Sequence, residues 1–521
     1  MAKNKKKLDG PSFAQEAIAV TGLFAAVFLL LCLASYSLPI LNAVSYAKRH
    51  ANVYPLYVTN FSCTFDSFTH ELRLGELGAK PYLVLVIVAL TAVAGVQGRL
   101  GACLDSFAYH RAVRGRPRKS FAAARLRRGG QVVTSSGEVV PLSDPRVKLH
   151  FPAFSRYHSR SWSMAARWLG LHPGGELRLD RRQLQEGLRH TSGRECLPVP
   201  ICVGQLLQIH RNRAPGEICG LYMLHGGAPC VADSIPGYFE RFIAEQELED
   251  LFIFSPHEVN DFCGVGAATY AECTAAALNA ADLMAEIESA TRVVGLDGGL
   301  EEVRRLWDQL VADAATLEDF RKGVPRLVEG LARIPRSRDP ADCPRVVITG
   351  DFFTRFSDFF MEGVAELYAE RGIILKPVDL NELMLYSLYD GMVSAAHVWG
   401  LAPGPRATVK ACTRILEPDG KEYLSGWYGY QRARIWERSY RRQFERTGLL
   451  VSGPNDVSDL VREASRHISP IIYGEAIVSV GKGVRAESEG YDGVLLVGPF
   501  NCLPFRISEA ILKPFLLSLI H

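Results

Sequence analysis

Three thiols in short Gly- and Pro-containing turns are the residues of this chain best suited to chemistry. They are Cys196 in Gly193-Arg-Glu-Cys-Leu-Pro198, Cys230 in Gly226-Gly-Ala-Pro-Cys, and Cys502 in Gly498-Pro-Phe-Asn-Cys-Leu-Pro504. Two of them closely follow short apolar runs, Leu221–Leu224 and Val494–Val497, that read as buried strands. A thiol between a strand end and a helix start sits where α/β folds bind their ligands. The helix N-terminus favours a thiolate, and glycine lets backbone approach closely. Three thiolates can hold one metal centre and leave a coordination position open. The alternative is that each cysteine is a small buried hydrophobe. The wide sequence separation of the three matches no local metal motif.

Polar groups lie near these turns. Glu195 adjoins Cys196 and is either a base of raised pKa or a helix-capping or outer-shell group. His225 follows a strand and precedes Cys230, so it is a candidate proton donor or fourth ligand, or a turn histidine with its hydrogen bonds satisfied. Asp351 and Arg355 follow the strand Arg345–Gly350, and Glu475 follows Tyr473-Gly474. All three are candidates for contact with a substrate or partner, against the alternative of solvated or salt-bridged loop charges. Cys202 is a candidate spare ligand. The other cysteines of the large domain read as core residues.

The elements that must position these groups alternate from about residue 145. Strands are expected at Val147–Phe151, Leu177–Leu179, Leu221–Leu224 and Leu251–Phe254, with helices at Tyr157–Leu169, Arg181–Leu188, Ile201–His210, Tyr238–Glu247 and Ala267–Glu288. A helical connector follows. A second strand–helix–strand series runs through Arg345–Gly350, Phe359–Arg371 and Ile373–Val378. Ala476–Val480 and Val494–Val497 read as further strands, and Ser508–Leu517 as a closing helix. This order implies parallel sheets with right-handed crossovers.

The front of the chain reads differently. Ala17–Ile40 carries no charge and is long enough to span a bilayer, and Pro81–Val96 is near the lower limit. Lys3, Lys5, Lys6 and Lys7 precede the first stretch. Arg99 and then a basic run from Arg111 to Arg128 follow the second, which puts both outer ends in the cytoplasm. Rival readings are a signal peptide for the first stretch and a buried core helix for the second. The basic run suits topology or contact with membrane lipid better than nucleic acid, and no nucleic-acid partner is expected. Within the linker of residues 101–144, Gln131–Thr134 and Glu138–Val140 flank Ser135-Ser136-Gly137 as a β-hairpin.

The expected fold class is therefore α/β: two Rossmann-like parallel-sheet domains with a helical connector, preceded by two transmembrane helices. Residues 1–100 form a transmembrane hairpin with spans at about 17–40 and 80–97. Residues 101–144 form a basic linker, 145–296 the first α/β domain, 297–342 the connector and 343–521 the second α/β domain. The expected location is the inner (cytoplasmic) membrane, multi-pass, with the N-terminus and the large domain in the cytoplasm. With 48% apolar and 22% charged residues, disorder is excluded as the default state. Cysteine is too sparse for a secreted disulfide scaffold.

Several motifs resemble one family in order and approximate spacing. Thr191-Ser-Gly-Arg-Glu-Cys-Leu-Pro198 and Gly227-Ala-Pro-Cys230 resemble the two N-terminal cysteine motifs of proteins related to the 2-hydroxyacyl-CoA dehydratases and CoA-enzyme activases. Arg345–Asp351 with Phe352-Phe-Thr-Arg355 resembles the opening of their second domain. Tyr473–Gly481 and Gly493–Pro504 resemble their C-terminal motifs. The resemblance covers roughly residues 145–521.

It implies a [4Fe–4S] cluster between the α/β domains, held by Cys196, Cys230 and Cys502, with a larger fused cluster left open. It also implies a separate ATP-dependent iron–sulfur activator that delivers the electron, and a CoA thioester or other small molecule as substrate. An oligomer is left open. The chain departs from the family after two cysteines, where Val231-Ala-Asp-Ser and Leu503-Pro-Phe stand. No complete Gly-x-x-x-x-Gly-Lys-Ser/Thr or Gly-x-Gly-x-x-Gly is present, so an ATP-driven step needs a partner. The expected function is a membrane-anchored, low-potential, electron-accepting reductase or dehydratase-like enzyme. The alternative is a membrane-tethered binding or scaffold protein that keeps the fold without turnover.

Overall fold

The computed structural model describes residues 43–50, 52–60, 80–87, 100, 103–104, 106–108, 111, 121–191, 195–224, 235–470, 472, 474–500 and 502–518. The chain divides into two compact units, Met1–Lys119 and Ser120–His521.

In the first unit, β1 (Leu56–Asn60) pairs in parallel with β2 (Leu83–Ile87), with Leu56 opposite Leu83. Val44 and Ala47 pack against Tyr57 and Tyr82, and the Lys80 ammonium donates to the carbonyls of Ala47 and His50. This overturns the transmembrane hairpin. The second expected span enters as a strand, and its partner strand comes from the segment between the two expected spans. Leu83-Val-Leu-Val-Ile is a short, β-branched apolar run, the pattern that periodicity alone cannot assign between helix and strand. The first expected span lies outside the described residues. Among those described, no helix is long and apolar enough to cross a membrane. The two transmembrane helices in the fold class, the membrane keywords and the multi-pass location therefore do not stand.

The second unit opens with a small antiparallel sheet. β3 (Arg125–Arg127), β4 (Gln131–Val133) and β5 (Val139–Pro141) lie in that order. Two three-stranded parallel sheets follow. The first has the order β6 (Val147–His150), β7 (Ile218–Tyr222), β8 (Leu251–Phe254). The second places β9 (Arg345–Gly350) between β10 (Ile374–Pro377) and β11 (Gly493–Val497). Val347 pairs with Lys376 on one side and Val494 on the other, so the three strand ends finish side by side. Two strand assignments fail here. Leu177–Leu179 is not a strand. Ala476–Val480 lies in the helix Glu475–Arg485 rather than in a strand. Residues 475–483 of that helix are all buried, and its polar residues Glu475, Ser479, Lys482 and Arg485 recur at helical spacing. Gly481 lets it press on Leu460, whose Cγ would lie 2.7 Å from an added Cβ.

The long helix Ala267–Val294 runs through the unit and carries buried carboxylates. Asp282 accepts from the backbone N–H groups of Leu380 and Asn381, each at 2.8 Å. It thereby caps the helix Leu380–Val398, whose own N-cap residue, Asp379, makes no side-chain cap. One turn on, Glu286 accepts from Val451 N–H and Ser452 N–H at 2.7 Å each and from Ser452 Oγ at 2.8 Å. It also faces Lys376 at 3.5 Å and Arg441 at 3.7 Å. Asp379 is turned toward the same two cations and toward Asn455 Nδ2 at 2.9 Å. Burial pushes the Asp379 carboxyl up, but Lys376 and Arg441 outweigh it and hold the group well below the usual range.

Removing one member of such a network strands the others without solvent. Glu286→Ala is expected to lower unfolding free energy by about 3–5 kcal/mol, with Glu286→Gln losing less because its amide oxygen still accepts the two N–H groups. Urea denaturation followed by circular dichroism checks both.

Candidate functional site

The ends of β9 and β11 build the site. Gly350 closes β9 at φ +104°, and a Cβ there would lie 2.1 Å from Val497 O, so only glycine fits. Asp351 N–H donates to Val497 O at 2.8 Å, locking the two strand ends together. Asp351 then caps the short helix Phe352–Phe356. Its Oδ1 accepts from Thr354 N–H and Thr354 Oγ1, both at 2.7 Å. Its Oδ2 faces Cys502 Sγ at 3.9 Å. Cys502 itself follows β11 and directly precedes the helix Leu503–Ser518.

Two further charged groups complete the cluster. Glu475 starts the helix Glu475–Arg485, preceded by Gly474 at φ +91°. Arg355 Nη1 reaches Glu475 Oε1 at 2.5 Å. The same guanidinium donates to Val378 O at 3.3 Å and to Gly350 O. Asp351, Arg355, Glu475 and Cys502 are all buried. Arg355 Nη2 is buried with no hydrogen-bond partner among the described residues.

The electrostatics are dominated by acids crowded out of water. Burial pushes the Cys502 thiol far above its ordinary range, and the charges of Asp351, Cys196 and Glu475 push it further. Cys196 and Cys502, from opposite ends of the unit, are therefore close enough to feel each other. Burial also raises Asp351, against the pull of Thr354 and Arg355. Glu475 is pushed up to about 8, first by burial and then by Asp351, against the pull of Arg355 and the Phe352 N–H. Arg355 offsets two of these acids, Asp351 and Glu475.

Cys196 is half-buried, and its carbonyl accepts from Val199 N–H at 2.9 Å at the start of the helix Pro198–Asn212. Glu195 is buried beside it. Cys230 and His225 lie outside the described residues. Among the described residues, no group of three His, Cys, Asp or Glu side chains is placed to hold a metal ion. Burial pushes the Cys202, Cys219 and Cys263 thiols each up to about 12 and Cys273 up to about 11. They act as core residues, Cys202 included.

Of the groups singled out in the sequence, Cys196, Asp351, Arg355, Glu475 and Cys502 come together. Thr354 and Gly350, which hold Asp351, went unrecognised. Their signal was the Asp-x-x-Thr capping spacing after Gly350. Compared with known proteins, the chain matches no family model, no curated protein and no solved structure.

The proton on Glu475 can be measured through stability. Its folded pKa is raised, so between the ordinary carboxylate range and about 8 the native state binds a proton that the unfolded chain releases. Stability must fall as pH rises through that window. Glu475→Gln is expected to flatten the fall between about pH 5 and about pH 8, read as the change in urea midpoint with pH.

Proposed function

We propose that this protein is an electron-accepting enzyme of the dehydratase or reductase kind, with its reaction centre at the strand ends of the second parallel sheet. Cys196, Cys230 and Cys502 would hold an iron–sulfur cluster there. The observation that carries this reading is the crowding of Asp351, Glu475 and Cys502 at the strand ends, with Cys196 raising the Cys502 thiol further and Arg355 paired to Glu475. Buried thiols and carboxyls that raise one another's pKa are a donor set that a positively charged centre stabilises. The family motifs on the same turns point the same way.

When bound, such a cluster supplies one-electron transfer at low potential. The chain's own groups do the rest. Glu475 keeps a proton into the neutral range and can give it to a leaving hydroxyl. Arg355 fixes Glu475 and ties it to the β9 carbonyl of Gly350. Asp351, clamped by Thr354, holds its position beside Cys502. Burial keeps water from this proton inventory. The chain has no phosphate-binding Gly-rich loop of its own, so ATP-driven electron delivery falls to a separate activator protein. A CoA thioester or another small acyl compound is the substrate class this reading carries.

Anaerobic reconstitution with iron and sulfide tests the proposal. The wild type is expected to retain close to four irons per chain and to give an EPR signal on reduction. Cys196→Ala, Cys230→Ala and Cys502→Ala should each lose most of the iron while remaining folded. A folded wild type that retains no iron overturns the cluster and favours a binding or scaffold role.

A further inference from the structure

Arg355 also lines a cleft of about 670 Å³ that the thiol site does not use. Ser155 lines the same cleft. It stands at the turn from β6 into the helix Arg156–Trp168, as the helix N-cap. Ser155 Oγ lies 2.7 Å from His158 Nδ1. On the other side of the ring, His158 Nε2 lies 2.9 Å from Asp282 Oδ1. Asp282 is fixed in turn by the backbone N–H groups of Leu380 and Asn381. A carboxylate only accepts, so Nε2 carries the ring proton and Nδ1 is left to accept from the Ser155 hydroxyl. His158 and Asp282 are buried, while Ser155 is partly open. The ring of His158 is also held 4.4 Å from that of Phe356.

The surroundings point to a ligand. Ser357 lines the cleft, is 1% exposed, and its Oγ has no hydrogen-bond partner among the described residues. Arg355, with its unpaired Nη2, lines the same wall. In the first turn of the helix, Arg156 N–H donates to Asp358 at 3.0 Å and His158 N–H to Ser155 Oγ at 3.4 Å. The Tyr157 N–H between them has no partner among the described residues, which leaves a donor at the positive end of the helix beside Ser155.

We propose that Ser155, His158 and Asp282 form a nucleophilic acyl-transfer centre that hydrolyses small carboxylic esters bound in this cleft. Hydroxyl, base and orienting carboxylate are chained in the order such catalysis needs, with the two ring nitrogens exchanged relative to the familiar triad. Ser155 Oγ bonds to the acyl carbon as its proton passes to His158 Nδ1. The bond from the acyl carbon to the alcohol oxygen breaks, and the alcohol leaves with that proton. Water then gives a proton to His158 and its hydroxide to the acyl carbon. The bond from the acyl carbon to Ser155 Oγ then breaks, the carboxylic acid departs, and the proton on His158 returns to Ser155 Oγ. The Tyr157 N–H is the donor available to the developing oxyanion. Cap geometry alone explains the Ser155–His158 contact. It does not explain the buried carboxylate on the far nitrogen, fixed in turn by two backbone N–H groups.

A fluorophosphonate probe on the full chain, with the adduct located by peptide mass spectrometry, tests this together with hydrolysis of p-nitrophenyl butyrate. The wild type is expected to carry the adduct on Ser155. Ser155→Asp keeps a good N-cap and is expected to stay folded, with hydrolysis reduced to background. His158→Gln should slow labelling by about a hundredfold or more. A folded wild type left unlabelled at Ser155, or a His158→Gln protein labelled at the wild-type rate, overturns the proposal.

Discussion

Two carboxylates buried on one helix hold this structure together. Asp282 and Glu286 sit one turn apart on Ala267–Val294, and both spend their oxygens on groups from the second half of the chain. A charge removed from water must be fully hydrogen-bonded or paired, so these contacts tolerate little displacement. Asp282 fixes the start of the helix Leu380–Val398, which follows β10. Glu286 fixes the 451–452 turn and the cations Lys376 and Arg441. The second sheet is thereby set against the helix that packs on the first. The proximity of Cys196 to Cys502 depends on that setting, because each thiol belongs to a different sheet's surroundings.

The same constraint makes the two candidate centres neighbours. Asp282 orients His158 with one oxygen while capping a helix with both. The Phe356 ring packs at a tilt against His158, and Phe356 ends the short helix that Asp351 begins. Arg355, between them in sequence, reaches Glu475 on one side and lines the large cleft on the other. Groups that titrate or donate are thus held by hydrogen bonds from rigid elements, as a reactive site requires. The thiol side is acid-rich and suited to a positively charged centre. The cleft side balances arginines against carboxylates and presents a hydroxyl facing a base.

The sequence made some of this legible and hid the rest for identifiable reasons. Arg345–Gly350 and Val494–Val497 announced themselves as short apolar runs ending in glycine turns, and Asp351 and Cys502 follow them directly. Ala476–Val480 looked like a strand because the short run Ala-Ile-Val-Ser-Val, taken alone, hides the helical spacing of Glu475, Ser479, Lys482 and Arg485. Leu83–Ile87 looked like part of a membrane span because a short apolar run has the same composition in either state. Asp282 and Glu286 gave no signal, since a carboxylate on an Ala-rich helix reads as a solvated charge until its partners are known.

Local chemistry belongs to the sequence itself: which residues are thiols, which turns need glycine, where helices can be capped. Those properties depend on near neighbours and on backbone sterics alone. The tertiary structure decided which of these groups meet. It brought Ser155 and His158, adjacent by helical spacing, to Asp282, and set Glu475 against Arg355. It also decided their protonation, because burial and the charges of distant residues, rather than local sequence, push Glu475 up to about 8.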